Sequence, residues 1–339
     1  MERRIVIGLL AMGAVVMAVM ALGCLEDQTS GEITTITIGY QPSTHQLAAM
    51  VAAEQGWWEE DLAQFGVTEV VMKEFPSGPP EMHAMLSGEL EAAYVGAAPP
   101  IAAMYEGLDA KIIAGVQTQG SALVLRPELA DSYTGPESLR GLAIGTFPPG
   151  SIQYTVLSKW LMDNGIDPET EVDLKAMGPS DAATAIGAKT VDAVFLPSPT
   201  PTIIETEGNG VIVEWSGTMW PDHACCCLVA SGDMIREHPD IVSQIIKTHI
   251  RATDYELAHP DEAAEIYAKL QGADVATIKR SLNVSDMHWT DDPHLEVESA
   301  LAYASVIYDM DRERYEGQGI AVLGETEIFD TSLYDELTR

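Results

Sequence analysis

Short apolar runs alternate along this chain with longer segments in which apolar residues recur at helical spacing. Residues 35–40 alternate in polarity as a strand does, and residues 46–54 have the three- and four-residue apolar spacing of a helix. The other predicted strands are 67–75, 92–95, 111–116, 142–146, 172–175 and 191–196. Helices are predicted between them at 79–86, 99–106, 152–164 and 181–186. This alternation predicts an α/β fold with largely parallel sheets.

The chain beyond His223 becomes mostly helical, which predicts a C-terminal helical segment. Its helices are expected at residues 240–258, 261–270, 275–282 and 294–309. Proline is well tolerated at the first position of a helix, because its missing N–H would be unpaired there anyway.

A weak internal repeat links the two halves of the α/β region. In the first copy, Gly78-Pro79 opens a helix, residues 91–95 read as an acidic-alanine strand, and Pro99 opens the next helix. In the second copy the same order recurs from Gly178-Pro179 through residues 192–196 to Pro199. The repeat predicts two equivalent lobes that face each other across a cleft. The alternative is a chance similarity between two ordinary α/β units.

The N-terminus has the pattern of an export signal. Arg3 and Arg4 precede an uncharged apolar run at residues 5–23, and Cys24 follows it at once. The end of the run resembles a lipoprotein lipobox, which implies that Cys24 is lipidated, although Ala21 departs from that pattern. We therefore expect a signal peptide at residues 1–23 and a polar tether at 24–32. The alternative is an uncleaved anchor, because 19 apolar residues can just span a bilayer. Both place the remaining chain outside the cytoplasm, anchored to the cytoplasmic membrane.

Composition excludes several classes of protein. The chain has 18 Lys and Arg against 52 Asp and Glu, so its net charge of −34 disfavours a nucleic-acid partner. Hydrophobic residues make up 46% of the 339 residues, which is enough for a sizeable core and excludes a mainly disordered chain. Four cysteines at this length predict no disulfide framework.

Five loops precede predicted helices and suit a ligand that approaches the backbone. They are residues 43–46, 77–80, 96–100, 149–153 and 196–199. Helix N-termini offer unpaired N–H groups and favour anions. Ser43 and Gln46 have the spacing of a capping box. Each loop by itself also fits ordinary helix capping, but their pairing between the two halves favours a site.

Several motifs in a specific order resemble extracytoplasmic solute-binding proteins of ABC importers, of the nitrate, sulfonate and taurine type. They are TIGYQP at residues 37–42, FPSG at 75–78, AYVGAAP at 93–99, SLRGLAIG at 138–145 and REHPD at 236–240. The resemblance extends from Ile33 to about Asp309. It implies a two-lobed periplasmic-binding-protein fold, type II-like, with crossover hinge strands near residues 119–124 and 223–229. Lobe 1 would comprise residues 33–119 and 226–339, and lobe 2 residues 120–225.

The resemblance implies that the chain is the substrate-binding subunit of an importer. Its lobes would close on a sulfonate-, nitrate- or taurine-like anion or zwitterion, and the closed form would dock on a permease that works with an ATPase. We expect a monomer with no catalytic residue, cofactor or metal. The candidate ligand-binding residues are Gln41, Ser43, His45, Ser77, Gly78, Gly96, Ala98, Thr118, Gln119, Thr146, Ser151, Ser198 and Trp220. Trp220 would form an apolar wall. Because the loops carry no Lys or Arg, an anion would rest on N–H groups and His45.

Three consecutive cysteines, Cys225 to Cys227, lie where the second crossover strand is expected. Strand alternation predicts that Cys225 and Cys227 share one face and Cys226 the other. They are either small buried hydrophobes or a metal or redox group near the cleft, aided by His223. Thiamine-pyrimidine synthases carry a similar cluster, so an enzyme of that type is an alternative. However, Leu228-Val229 follows the cluster here, and residues 76–90 contain no lysine. A third alternative is a ligand sensor without transport.

Overall fold

The structure is a computed structural model that describes residues 33–284 and 286–339. The predicted signal peptide, the polar tether and the lipidation site Cys24 lie outside these residues. Among the helices that the structure describes, none has both the length and the apolar character needed to cross a bilayer.

The first part of the chain alternates strands and helices, as the hydrophobic pattern predicts. Its elements are β1 (Thr35–Tyr40), α1 (Leu47–Glu54), α2 (Trp57–Leu62), β2 (Glu69–Glu74), α3 (Gly78–Leu86), β3 (Ala92–Gly96), α4 (Ala98–Tyr105) and β4 (Ala110–Gln119). Strand β1 pairs in parallel with β2 on one side and β3 on the other. The apolar positions of β1, Ile36 and Ile38, are fully buried, so the alternation in the sequence follows the pleat of the strand.

The middle part of the chain builds a second sheet. Its elements are β5 (Ser121–Leu125), α5 (Pro127–Ala130), β6 (Ala143–Thr146), α6 (Ile152–Asp163), β7 (Asp173–Ala176), α7 (Pro179–Gly187), β8 (Ala193–Pro197), α8 (Thr200–Thr206), β9 (Val211–Trp215) and α9 (Ser216–Met219). Val124 of β5 and Val194 of β8 pack with Ile204 of α8 in one buried cluster. This cluster attaches the helices to the sheet.

The chain then returns to the first sheet and continues mainly as helices. These elements are β10 (Ala224–Ser231), α10 (Gly232–Glu237), α11 (Pro239–Ala258), α12 (Pro260–Gln271), α13 (Val275–Leu282), β11 (Met287–Trp289), α14 (Val297–Met310), α15 (Arg312–Gln318), α16 (Glu325–Ile328) and α17 (Ser332–Leu337). Within residues 33–284 and 286–339, the strands form a first sheet in the order β11-β4-β10-β3-β1-β2 and a second in the order β7-β6-β8-β5-β9.

The predicted α/β class and the C-terminal helices are confirmed, but the expectation of largely parallel sheets is wrong. Strand β10 runs antiparallel to β3 and β4, and β5 runs antiparallel to β8 and β9. These strands carry the chain from one sheet to the other and back, and their direction is set by that path rather than by a strand-helix-strand unit. The lobe boundaries given above stay a prediction.

A buried histidine holds the long helix α11 against the first sheet. His249 Nε2 lies 2.7 Å from the Gly115 carbonyl oxygen of β4, and Nδ1 lies 3.1 Å from the Tyr94 hydroxyl oxygen of β3. Burial lowers the pKa of His249 to about 4, although the bond to Gly115 opposes this shift. The ring is therefore neutral, with Nε2–H donating to Gly115 and Nδ1 accepting from Tyr94.

We expect His249 to make the fold sensitive to acid. In the unfolded chain this imidazole takes up a proton near pH 6.5, whereas in the folded chain it does so only near pH 4. Its contribution is therefore complete above pH 6.5 and is lost as the pH falls towards 4, by about 3 kcal/mol in all. His249→Gln should lose less stability than the wild type over that interval. Urea unfolding at several pH values measures the difference.

The exposed His83 provides the matched control. His83→Gln should retain the acid sensitivity of the wild type. A pH profile of His249→Gln that runs parallel to the wild-type profile would show that this residue does not titrate on unfolding.

Candidate functional site

Loops from the two sheets meet at helix N-termini. Each of the five loops singled out in the sequence precedes a helix: α1, α3, α4, α6 or α8. The Thr44 N–H donates to the Ser198 carbonyl oxygen at 3.2 Å. A Cβ at Gly96 would lie 2.9 Å from Cγ2 of Ile152, so glycine allows the first residue of α6 to approach β3. The structure thus brings loops of the first sheet into contact with loops of the second.

His45 lies at the centre of this junction and is fully buried. Its Nε2 atom is 3.0 Å from the Gly120 carbonyl oxygen and 3.2 Å from the Ser198 nitrogen. Its Nδ1 atom is 3.1 Å from Cys225 Sγ. The Ser198 hydroxyl also donates to Gly120 at 3.1 Å. Two predicted site residues, His45 and Ser198, are therefore in direct contact, although they are 153 positions apart.

The cysteines do not alternate as the sequence pattern predicts. The register of β10 against β4 shifts on both sides of Cys226, so the strand is irregular at this point. As a result, Cys225 Sγ and Cys226 Sγ lie 3.9 Å apart and both approach His45. The Cys227 thiol donates to the Val95 carbonyl oxygen at 3.6 Å. The prediction that Cys226 lies on the opposite face from Cys225 is wrong, because it assumed an unbroken pleat.

The two neighbouring thiols differ in acidity. Burial raises the pKa of Cys225 well above its usual value. Burial also acts to raise the pKa of Cys226, but interactions with Cys225 and His45 outweigh it and lower the pKa to about 5. His223, which the metal or redox alternative placed with the cysteines, instead has its Nδ1 atom 3.0 Å from the Ala224 carbonyl oxygen. The partner of this thiol pair is His45.

A buried carboxyl group, Glu81, lies beside the predicted Gln41 and was not singled out from the sequence. Gln41 Nε2 donates to Glu81 Oε2 at 2.7 Å. Burial raises the pKa of Glu81 well above its usual value, against the opposing effect of that bond. A Cβ at Gly39 would lie 2.6 Å from Glu81 Oε1, so the glycine leaves room for the carboxyl group. In the sequence, Glu81 looks like an ordinary acidic residue of a helix's first turn.

The predicted capping box at residues 43–46 is wrong. The Ser43 side chain makes no capping hydrogen bond. The Gln46 side chain instead accepts a bond from the Gln41 N–H at 2.6 Å. Gln46 therefore shapes the loop that follows β1, because its amide reaches the backbone at the end of that strand. Ser151, by contrast, caps its helix and accepts from the Tyr154 N–H at 3.2 Å.

The remaining predicted residues are distributed around the junction. Thr146 donates to the Phe195 carbonyl oxygen at 2.9 Å, within the second sheet. Trp220 is half-buried, and its ring lies 4.8 Å from that of Tyr303 on α14. Buried at or beside helix N-termini are Ser77, Gly78, Gly96 and Ala98. Thr118 is half-buried in β4. The assignment to ligand binding of all thirteen candidate residues from the sequence analysis stays a prediction.

A cavity of about 410 Å³ opens next to these loops. Its lining comes from the end of β2, from loops beside both sheets, from α7, α8 and α12, and from the turn after α12: Pro42, Glu74, Pro76, Gly178, Pro179, Ser180, Asp181, Ala183, Pro199, Thr200, Ile203, Tyr267, Gln271 and Ala273. The N-termini of α7 and α8 border it, and the Tyr267 hydroxyl donates to the Pro42 carbonyl oxygen at 2.9 Å. Two of the lining residues, Pro42 and Pro199, directly follow the predicted residues Gln41 and Ser198 in the sequence.

Asp286 joins the two sheets where the chain crosses between them. Its carboxylate accepts from the Gly120 N–H at 3.0 Å and from the Gly217 N–H at 3.1 Å. Gln119, with a φ of 60°, donates to the Asp286 carbonyl oxygen and accepts from the Asp222 N–H, each at 3.0 Å. Burial raises the pKa of Asp286, and the bonds from the two glycines oppose that shift. Gln119 thus shapes the crossing between the sheets.

Comparison with known proteins identifies the family to which this chain belongs. A model of the NMT1-like family matches residues 29–271. The putative aliphatic sulfonates-binding protein of Bacillus subtilis (strain 168) is 28% identical over 281 residues, which are 81% of this chain and 81% of that protein.

Solved structures show the same fold. The alkanesulfonate-binding protein SsuA of Xanthomonas axonopodis pv. citri, bound to MOPS, matches with a TM-score of 0.71 and 17% identity, covering 83% of this chain and 94% of that one. The periplasmic nitrate-binding protein NrtA of Synechocystis PCC 6803 matches with a TM-score of 0.70 and 16% identity, covering 90% and 88%. The predicted periplasmic-binding-protein fold and the family resemblance are confirmed.

We expect the Asp286 carboxylate to stabilise the crossing between the sheets. Asp286→Ala leaves the N–H groups of Gly120 and Gly217 without their charged acceptor and should lower the free energy of unfolding by about 2–3 kcal/mol. Denaturant unfolding measures the loss. Asp131→Ala removes an exposed carboxylate of the same charge and serves as the control. A loss below about 0.5 kcal/mol for Asp286→Ala, as for an ordinary surface change, would contradict this role.

Proposed function

This chain belongs to the NMT1-like family, and on that premise we propose that it is the substrate-binding component of an ABC importer. Its cargo would be a small solute of the sulfonate or nitrate class, and it would act outside the cytoplasm by delivering that solute to a membrane permease. The relatives reported above are named as binding proteins for sulfonates and nitrate, which supports a binding role rather than catalysis.

The observation that carries this proposal is the meeting of helix N-termini from the two sheets. Helices α3, α4, α6, α7 and α8 all begin at the junction or at the adjoining cavity. Except at the prolines, which lack an N–H, the first residues of these helices present N–H groups without intrahelical partners, and each N-terminus is the positive end of its helix dipole. Such groups bind oxyanions without a cationic side chain. A sulfonate or nitrate group is therefore the expected ligand chemistry.

Charge around the cavity narrows the class of solute. The residues that line it include Glu74 and Asp181 but no Lys or Arg. These carboxylates would repel a bare anion and would attract an ammonium group. A zwitterion that carries both a sulfonate and an amine, such as taurine, fits this arrangement better than a simple anion.

Hinge closure explains how the solute would be enclosed. The chain passes between the sheets near Gln119 and again near His223, and these crossings can act as hinges. The contacts of Thr44 with Ser198 and of Gly96 with Ile152 would form as the two sides close. The permease would then recognise the closed form.

Thermal unfolding of the full chain against a solute panel tests the proposal. The panel contains taurine, alkanesulfonates, nitrate, bicarbonate, thiamine-pyrimidine precursors and pyridoxal phosphate, at low and high salt. A solute present at 100 times its Kd should stabilise the protein by about 2.7 kcal/mol, or several degrees. We expect taurine or an alkanesulfonate to do so. A response confined to pyridoxal phosphate or a pyrimidine precursor would contradict the proposal and favour a biosynthetic enzyme.

A bulkier residue at Gly96 should prevent closure. Gly96→Val places methyl groups where Ile152 approaches, since even a Cβ would lie 2.9 Å from Ile152 Cγ2. We expect the affinity for the most effective panel solute to fall at least about tenfold, which corresponds to 1.4 kcal/mol. Isothermal titration calorimetry measures the change.

A second substitution distinguishes this effect from general damage. Ile152→Ala removes the opposing methyl group, so the double variant should recover part of the lost affinity. Small-angle scattering with solute present should show Gly96→Val larger than the wild type. If Gly96→Val binds as tightly as the wild type, the contact with Ile152 does not belong to the bound state.

A further inference from the structure

Three metal-ligating side chains converge at the junction between the sheets. The Nδ1 atom of His45 and the Sγ atoms of Cys225 and Cys226 all lie within 4.8 Å of one another. His45 and Cys225 are fully buried, and Cys226 is 4% exposed. Two thiols and an imidazole form a donor set that selects thiophilic ions over Mg²⁺ or Ca²⁺.

The spacing of the donor atoms fits one ion. Two sulfur ligands at about 2.3 Å from a tetrahedral zinc ion lie about 3.8 Å apart. The observed separation of Cys225 Sγ and Cys226 Sγ is 3.9 Å. The Nδ1 atom of His45 is 3.1 Å from Cys225 Sγ, and it would move outwards by roughly 0.4 Å to reach the spacing of a nitrogen and a sulfur ligand. Small side-chain rotations achieve this.

The second ring nitrogen of His45 is already held in the way that metal-bound histidines are held. Its Nε2 atom lies 3.0 Å from the Gly120 carbonyl oxygen, to which an Nε2–H donates. A backbone acceptor of this kind fixes the ring orientation and leaves the lone pair of Nδ1 directed at the ion. The Ser198 N–H lies 3.2 Å from the same carbonyl oxygen, so it does not require Nε2 as its acceptor.

Charge balance favours a divalent ion. A neutral imidazole and two thiolates carry a total charge of −2, which a divalent cation neutralises. Net charge is strongly unfavourable where the side chains are removed from water, so a neutral assembly suits this location. Binding would form two metal–sulfur bonds and one metal–nitrogen bond, and each thiol that is still protonated would release its proton to solvent.

We propose that His45, Cys225 and Cys226 bind a thiophilic divalent cation, with Zn²⁺ as the representative ion. This site has three protein ligands and leaves the fourth tetrahedral position open. It stands on the geometry of the three side chains and does not depend on the transport function. It also differs from the expectation, drawn from the sequence, that the chain holds no metal.

Cobalt titration of the reduced, metal-free full chain tests the site. Under anaerobic conditions, Co²⁺ bound by thiolates gives a sulfur-to-cobalt charge-transfer band, which ions bound by surface carboxylates lack. We expect this band to saturate at one Co²⁺ per chain and to vanish when one equivalent of Zn²⁺ is added. A wild-type chain that shows no such band would overturn the proposal.

The third cysteine supplies a matched control. Cys225→Ser, Cys226→Ser and His45→Gln should each weaken cobalt and zinc affinity by more than about a hundredfold, beyond the effect of outer-shell changes. Cys227→Ser should retain the band, because Cys227 contacts Val95 rather than His45. A band that survives in both Cys225→Ser and Cys226→Ser would overturn the assignment.

Thermal unfolding keeps the test interpretable if a variant folds poorly. One equivalent of Zn²⁺ should raise the melting temperature of the wild type and of Cys227→Ser. If zinc stabilises neither the wild type nor Cys227→Ser, the site is contradicted. It is also contradicted if zinc stabilises the variants at Cys225, Cys226 and His45 to the same extent. Taurine binding by the metal-free chain is measured separately, so failure of the metal site and failure of the transport proposal are distinguishable.

Discussion

Strand β10 lies between β3 and β4 and pairs with both, and much of the molecule depends on this insertion. It returns the chain to the first sheet after the second has been built, so the first sheet contains strands that come both before and after the second sheet in the sequence. It also places residues near 225 beside His45, which comes 180 positions earlier. The register shifts at Cys226 then direct two neighbouring thiols towards that imidazole. A regular pleat would have sent one of them away.

Acidic side chains on the surface and in the interior of the protein differ in their protonation. Most of the 52 carboxylates give the chain its net charge of −34, whereas Glu81, Glu256 and Glu296 are buried. Burial raises the pKa of each of these three groups well above its usual value. The interior therefore favours neutral polar groups, in agreement with a junction built from amides, hydroxyls and helix N-termini. An anionic group placed at the junction would meet the N–H dipoles of those helix N-termini.

Local patterns predicted the elements well and their side-chain contacts poorly. The bounds of β1 and α13 agree with those read from hydrophobic spacing, because burial of one face leaves a clear period in the sequence. The strands β9 and β11 were missed, because no residue of β9 is fully buried and β11 has only three residues, so neither leaves a clear period in the sequence. The capping box failed because the Gln46 amide bonds to Gln41, an interaction that spacing does not encode. Glu81 was missed because its depth depends on the space beside Gly39.

The sequence by itself determined the α/β class, the order of most helices and strands, the family, and the five loops that precede helices. Each of these depends on short-range patterns: apolar period, turn residues and motif order. Only the tertiary structure decided which loops face each other, that His45 meets Ser198 and Cys225, and that Asp286 joins the crossing segments. The two His45 contacts and the bond of Asp286 with Gly120 link residues 153 to 180 positions apart. Their geometry follows from strand order, register and the bulge in β10, which are properties of the packed sheets and not of any local segment.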